Sequence, residues 1–173
     1  MILGNKDIQK YLDEGKLVIS PLAEDTIREN GVDLRAGDEI LRFKRSENPI
    51  DITDKDAING IYLHERVTDS FVLNPNERVL IKIKEHIKMP NDVIGFSNVR
   101  STFARLGIFM PPTIADAGFE GYLTMLIIGG SVPIKVTPDM RLLHLVFSTT
   151  KSEVTKLYRG KYHNSEGVTG AKI

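Results

Sequence analysis

Asn74-Pro-Asn-Glu-Arg-Val-Leu-Ile-Lys-Ile-Lys-Glu-His-Ile-Lys-Met-Pro-Asn-Asp-Val-Ile-Gly-Phe-Ser97 is the stretch that decides the fold class. Residues 77–85 alternate apolar and polar, the period of a strand with one face buried. Asn74-Pro75-Asn76 precedes this run and Met89-Pro90-Asn91-Asp92 follows it, both with turn chemistry, and 93–97 then reads as the next strand. Working outward, the same reading applies to 16–20, 38–45, 60–64, 122–128, 133–136 and 140–147, with turns at Gly129-Gly130-Ser131 and Thr137-Pro138-Asp139. Many short strands with frequent turns predict a mainly β sandwich or barrel and not a βαβ fold. Residues 122–128 carry apolar side chains at both parities, which predicts a strand buried on both sides.

The N-terminus departs from this pattern. Asn5 is a predicted cap, Asp7 lies in the first turn, Ile8, Tyr11 and Leu12 share a face, and Gly15 closes a helix over 5–14. Residues 99–106 break the strand alternation and predict one or two helical turns. Residues 44–57 are polar, with Pro49 and several acids, and read as a surface loop or flap. After Thr150 the chain turns Lys/Gly/Ser-rich, so the expected organisation is one β domain over 1–156 and a closing tail over 157–173, mobile until a ligand or a neighbouring subunit orders it.

The length of 173 residues fits one domain with a sufficient core. With no cysteine, a disulfide framework, a thiolate zinc site and a cysteine nucleophile are excluded. Lys plus Arg and Asp plus Glu both number 23, which argues against nucleic acid or an anionic membrane as partner, so any anion site must be local. No apolar stretch approaches a membrane span and the N-terminus lacks a signal-peptide pattern, so the expected location is the cytoplasm.

Arg100, Ser101, Thr102 and Arg105 form the main local anion candidate, because guanidinium forks match phosphate oxygens. Arg100 and Arg105 do not share a helix face, so both can reach one ligand only if the segment bends around it. Asp116 opens a Gly-flanked turn, 116–121, where its carboxylate is free to meet a ligand. The four histidines show no metal-ligand spacing, His144 reads as a satisfied polar side chain between two leucines, and no Walker loop is present.

The order of these pieces carries a resemblance. Gly31-Val-Asp-Leu34, Arg100-Ser-Thr-Phe-Ala-Arg105, Asp116-Ala-Gly-Phe-Glu-Gly121, Pro138-Asp-Met-Arg-Leu-Leu-His-Leu-Val-Phe147 and Gly160-Lys-Tyr162 with its Gly-rich end follow one another. Together with the opening helix and the Gly15–Pro21 strand, this resembles the superfamily of trimeric dUTPases and dCTP deaminases over nearly the whole chain, most closely its archaeal dUTPase branch. The resemblance implies a distorted β-barrel or jelly roll with a short N-terminal helix, and a homotrimer with sites at subunit interfaces. It implies dUTP as substrate and Mg²⁺ as cofactor. Asp116 would position and deprotonate the attacking water. Arg100, Ser101, Thr102 and Arg105 would bind phosphate, and Asp33 would support the metal, directly or through water. Phe119 would pack under the deoxyribose. Arg141 and His144 belong to the fourth motif, where glutamine is usual at the histidine position, and Tyr158, Lys161 and Tyr162 to the closing tail. His163 and Ser165 stand where the deaminases would have glutamines.

The two branches differ in chemistry. Deamination at cytosine C4 needs an acid–base group, which the deaminases supply from a strand written Gly-x-Ile-Thr-Leu-Glu. Here that strand reads Gly121-Tyr-Leu-Thr-Met-Leu126, and a leucine cannot shuttle a proton. Glu120 would lie roughly 20 Å away along a strand at about 3.3 Å per residue, and no acid follows until Asp139. The expected activity is therefore dUTP diphosphatase. A dCTP deaminase, or an enzyme with both activities, is the alternative.

Overall fold

The computed structural model describes residues 1–173. Helix α1 (Asn5–Asp13) leads into β1 (Val18–Ser20), β2 (Ile27–Arg28) and the long β3 (Gly31–Phe43). Helix α2 (Lys55–Gly60), β4 (Tyr62–Arg66), β5 (Phe71–Leu73), β6 (Arg78–Lys88) and β7 (Val93–Val99) follow. The chain then forms α3 (Ser101–Arg105), β8 (Thr113–Ala115), β9 (Glu120–Ile128), β10 (Ile134–Val136) and β11 (Arg141–Thr149). One nine-stranded sheet runs β1-β6-β3-β11-β7-β8, with β2 and β4 on β3 and β9 on β6, and β5 pairs with β10 in a second small sheet. All these pairings are antiparallel, so the fold is mainly β with a short N-terminal helix, as expected.

The alternation in 77–85 becomes the floor of the core. Val79, Ile81, Ile83 and Ile87 of β6 are fully buried, while Leu80, Lys82, Lys84 and His86 face the other side. Ile8 of α1 and Phe147 of β11 pack into the same core cluster. Removing roughly one such aliphatic side chain from water contributes about 1.5–3 kcal/mol.

Several expectations need correction. The α1 cap is Gly4, whose N–H is taken by the Asp7 carboxylate at 3.2 Å, so Asn5 is already inside the helix. Part of 44–57 is helical, because Asp54 caps α2 by accepting from the amides of Asp56 and Ala57. In β9 only one face is fully buried: Met125 and Ile127 point inward, whereas Tyr122, Thr124 and Leu126 on the other face are half-buried.

Candidate functional site

Two clusters stand out, and the fold keeps them apart. The first centres on Asp33, which is only 3% exposed. Strand β11 runs between β3 and β7, with His144 opposite Asp33 on one side and Asn98 on the other. His144 Nδ1 lies 2.9 Å from Asp33 Oδ1, and Arg100 Nε lies 3.0 Å from Asp33 Oδ2. Arg141 Nη1, at 3.8 Å, and Arg28 Nε, at 3.9 Å, complete a cationic ring around Asp33 Oδ2. Arg141 is also tied to Asp25 at 2.9 Å. Arg100 donates Nη1 to the Arg141 carbonyl at 3.2 Å, which leaves its Nη2 uncommitted. A shallow polar cavity here is lined by Arg28, Asn98, Arg100, Ser101 and His144. Ser101 and Thr102 are exposed at the start of α3. Arg105, at the other end of α3, is exposed, outside this cavity and without an ionic partner.

The second cluster surrounds Asp116. Its turn joins β8 to β9, closed by the Phe119 amide donating to the Asp116 carbonyl at 3.0 Å. Asp116 is exposed and makes no ion pair. The turn is backed by the C-terminal segment: Tyr158 donates its amide to the Ala117 carbonyl at 3.0 Å, and its ring meets Phe119 at 5.9 Å. A cavity of about 380 Å³ opens beside Asp116, lined by Phe43, Tyr62, Leu80, Phe119, Tyr122 and Thr124, and roofed by Tyr162, Ser165 and Thr169–Ala171. Asp116 is the only carboxylate lining it. Lys161 is exposed outside it, with its carbonyl accepting from Lys172 Nζ at 2.9 Å.

The edge of β9 away from β6 is partly open. Tyr122 pairs there with Ser165, and Ile128 with Phe109. By alternation, Thr124 and Leu126 turn their backbone N–H and C=O groups to the same edge, where no strand follows. That gap offers donors and acceptors to a flat polar ring. On the sheet face, Leu126 lies directly opposite Leu80, which lies opposite Leu41, an apolar row across three strands.

The predicted residues thus divide. Arg100, Ser101 and His144 line the Asp33 cavity, with Arg141 bound to Asp33 beside them, while Asp116, Phe119, Tyr158 and Tyr162 gather at the other. Ala115 pairs with Gly95, so Asp116 stands at the level of Ile94, six residues from Arg100 along β7. At about 3.3 Å per residue, that is roughly 20 Å. Residues not singled out beforehand also contribute: Arg28 to the first cluster, Tyr62 and Thr124 to the second. Their contacts span long sequence separations, and no local pattern marks them.

Residues 2–150 match the family described as dCTP deaminase-like. The chain belongs to that family. It is 50% identical over 173 residues to a dCTP deaminase of Acidianus ambivalens, covering 100% of this chain and 98% of that protein. It is 49% identical over 172 residues to a probable deoxyuridine 5'-triphosphate nucleotidohydrolase of Sulfolobus islandicus rod-shaped virus 1, covering 99% of each. A dCTP deaminase of Desulfurococcus amylolyticus is 48% identical over 174 residues, covering 100% of this chain and 96% of that protein. Among solved structures, 2'-deoxycytidine 5'-triphosphate deaminase from Agrobacterium tumefaciens superposes with a TM-score of 0.70 at 24% identity, over 86% of this chain and 48% of that one. The likeness therefore spans about half of the Agrobacterium protein. A point mutant of Staphylococcus bacteriophage 80alpha dUTPase gives a TM-score of 0.51 at 14% identity, over 83% of this chain and 96% of that one. The chain is thus an enzyme of the dCTP deaminase and dUTPase superfamily of nucleotide metabolism. No helix is long and apolar enough to cross a membrane.

Asp33 does not fit direct Mg²⁺ coordination, since its oxygens already face two arginines within 3.8 Å and a histidine at 2.9 Å. No group of three or more acidic or histidine side chains could hold a metal ion.

Proposed function

We propose that the protein hydrolyses dUTP to dUMP and pyrophosphate in a site completed by a second copy of the chain. The observation that carries this reading is Leu126. In the resemblance, that position bears the glutamate on which deamination depends, and here it ends an apolar row with Leu80 and Leu41.

The chemistry follows from what remains. Bound with the triphosphate, Mg²⁺ would neutralise phosphate charge, and the protein itself offers no acidic cluster to hold it. Asp116 accepts a proton from a water that attacks the α-phosphorus. A P–O bond to the water oxygen forms, the bond to the bridging oxygen breaks, and pyrophosphate leaves. Charge develops on non-bridging and leaving oxygens, where the free Nη2 of Arg100, the Ser101 and Thr102 hydroxyls and Arg105 act as preorganised donors. Arg141 and His144 serve through Asp33, which fixes the Arg100 fork. Phe119 and Tyr158 form the apolar wall for the sugar, and the open edge at Thr124 and Leu126 reads the base.

In one chain the backbones of Asp116 and Arg100 lie roughly 20 Å apart along the strand, longer than a triphosphate alone. One nucleotide therefore meets Asp116 of one copy and Arg100 of another, which supports the homotrimer with interfacial sites that the resemblance implies.

The names of the relatives favour a second reading, dCTP deamination, alone or coupled to hydrolysis, since proteins 50% and 48% identical are named dCTP deaminase. Water would then attack C4 and ammonia would leave. That route needs a proton carrier beside the base, and Asp116 is the only carboxylate lining the cavity.

Hydrolysis of dUTP in ¹⁸O-water tests the main reading. Label in dUMP is expected. Label in pyrophosphate would place the attack elsewhere, and absence of hydrolysis would remove the reading.

A further inference from the structure

Arg28 is firmly placed, although β2 is only two residues long. It pairs with Gly31 across the Glu29–Asn30 turn, and Val32 pairs with Ile27 on one side and Leu145 of β11 on the other. The Glu29 carbonyl accepts from the Asn5 amide at 3.0 Å, and the Asp33 amide donates to the Thr26 carbonyl at 2.8 Å, so α1 and β3 both anchor the hairpin. A Cβ on Gly31 would fall 2.5 Å from the Leu145 carbonyl oxygen and 2.9 Å from His144 Nε2, so glycine lets the hairpin lie directly against β11. Arg28 thus lines the Asp33 cavity from the flank opposite Arg100 and Ser101, which follow β7 on the far side of β11.

The donors around this cavity are unequally engaged. Arg100 gives Nε to Asp33 at 3.0 Å and Nη1 to the Arg141 carbonyl at 3.2 Å. Arg141 gives Nη1 to Asp25 at 2.9 Å. Arg28 donates no hydrogen bond, and its single ionic contact, to Asp33 Oδ2, is 3.9 Å long. Both Asp33 oxygens have nearer partners in His144 and Arg100. The Arg28 side chain is 37% exposed, so its whole fork is open to a ligand. Three guanidinium groups within 3.9 Å of one carboxylate oxygen also repel one another, and an anion between Arg28 and Arg100 relieves that repulsion. The Glu29 carboxylate is exposed at the cavity rim, where water and salt screen it.

We propose that Arg28 is the outer jaw of the phosphate cradle, that it grips the terminal phosphate, and that it thereby selects a triphosphate over a diphosphate. The identity of the nucleotide rests on the dUTP reading above; the placement of Arg28 does not. Arg100, Ser101 and Thr102 stand together at the start of α3 and meet the phosphates nearer the sugar. Arg28 reaches in across Asp33 from the other flank and extends the cradle by one more group. Its planar fork matches two oxygens of that phosphate at once, and the hairpin holds it ready, so little ordering opposes binding.

Titration calorimetry of the full chain with Mg²⁺, using α,β-imido-dUTP and α,β-imido-dUDP, tests this. Wild-type protein should bind the triphosphate analogue more tightly. Arg28→Ala should weaken the triphosphate analogue about ten- to a hundredfold, the range for losing a charge-assisted pair, and leave the diphosphate analogue within about twofold. Equal weakening of both, or of neither, would overturn the role. Arg28→Lys keeps the charge without the fork and should recover only part of the loss; full recovery would show that charge alone suffices and would overturn the bidentate grip. Because Arg28 donates no hydrogen bond in the free protein, the thermal midpoint of Arg28→Ala should match wild type. A lowered midpoint with both analogues weakened would mark a structural residue instead. Inorganic triphosphate and pyrophosphate, which carry no base, should divide in the same way. If dUTP is not hydrolysed but the inorganic pair still divides between wild type and Arg28→Ala, the failure belongs to the dUTP reading. Active protein whose inorganic pair does not divide would sink the role of Arg28 alone.

Discussion

Arg100 and Asp116 flank β7 at opposite ends, Arg100 just past Val99 and Asp116 at the level of Ile94, and in the proposed reading one triphosphate meets Asp116 of one copy and Arg100 of another. Complementation between variants follows. Arg100→Ala and Asp116→Asn should each be nearly inactive alone. Unfolding and reassembling them together should restore a substantial fraction of wild-type dUTP hydrolysis, because some interfaces then pair an intact Arg100 with an intact Asp116. Mixed protein no more active than its parents would contradict the shared site.

Asp116→Asn preserves shape and removes basicity. Hydrolysis of dUTP should fall at least about a hundredfold, the low end for losing a general base, with dUTP affinity retained. Steady-state rates and equilibrium dialysis separate these effects.

Glu85 holds the irregular part of the sheet. It is 0% exposed and accepts from Arg35 Nε at 2.6 Å and from the Arg35 amide at 2.9 Å. Around it the β3–β6 and β6–β9 registers both shift. Glu85→Ala leaves Arg35 without its closest partner in a poorly solvated place, and should cost about 3–5 kcal/mol by urea denaturation. A loss below about 1 kcal/mol would show that water replaces the carboxylate.

Acid should loosen the contact between Glu39 and the Val168 amide. The Lys82 ammonium, 2.6 Å from Glu39, holds the Glu39 carboxyl below the usual glutamate range, with His64 and the Val168 amide adding to the effect. A lowered folded pKa means that this stabilisation is complete above the unfolded value, about 4.3, and is lost as pH falls through the lower folded value. The Val168 amide resonance should therefore stay constant from neutrality to about pH 4.3 and shift below it. In Glu39→Gln this acid transition should vanish.

Much of the fold was legible because strands such as β6 and β7 carry their own period and are bounded by Pro and Asn turns. Short strands were not. Ile27–Arg28, Phe71–Leu73 and Thr113–Ala115 are too brief for a period and exist because partners pair with them. At the site, residue types were readable but placement was not. Arg100, Arg141 and His144 converge on Asp33 only because β11 pairs with both β3 and β7. The tail read as one Gly-rich piece, yet Ser165 alone of it is buried, on the edge of β9, a distinction that composition does not carry.

The central claim is that this family member hydrolyses dUTP and does not deaminate dCTP. One wild-type preparation with Mg²⁺, assayed in parallel for pyrophosphate release from dUTP and ammonia release from dCTP, tests it most directly. The account predicts rapid pyrophosphate release from dUTP and ammonia from dCTP at background. Ammonia release from dCTP at a rate comparable to dUTP hydrolysis would contradict it, and would show that Leu126 does not exclude deamination.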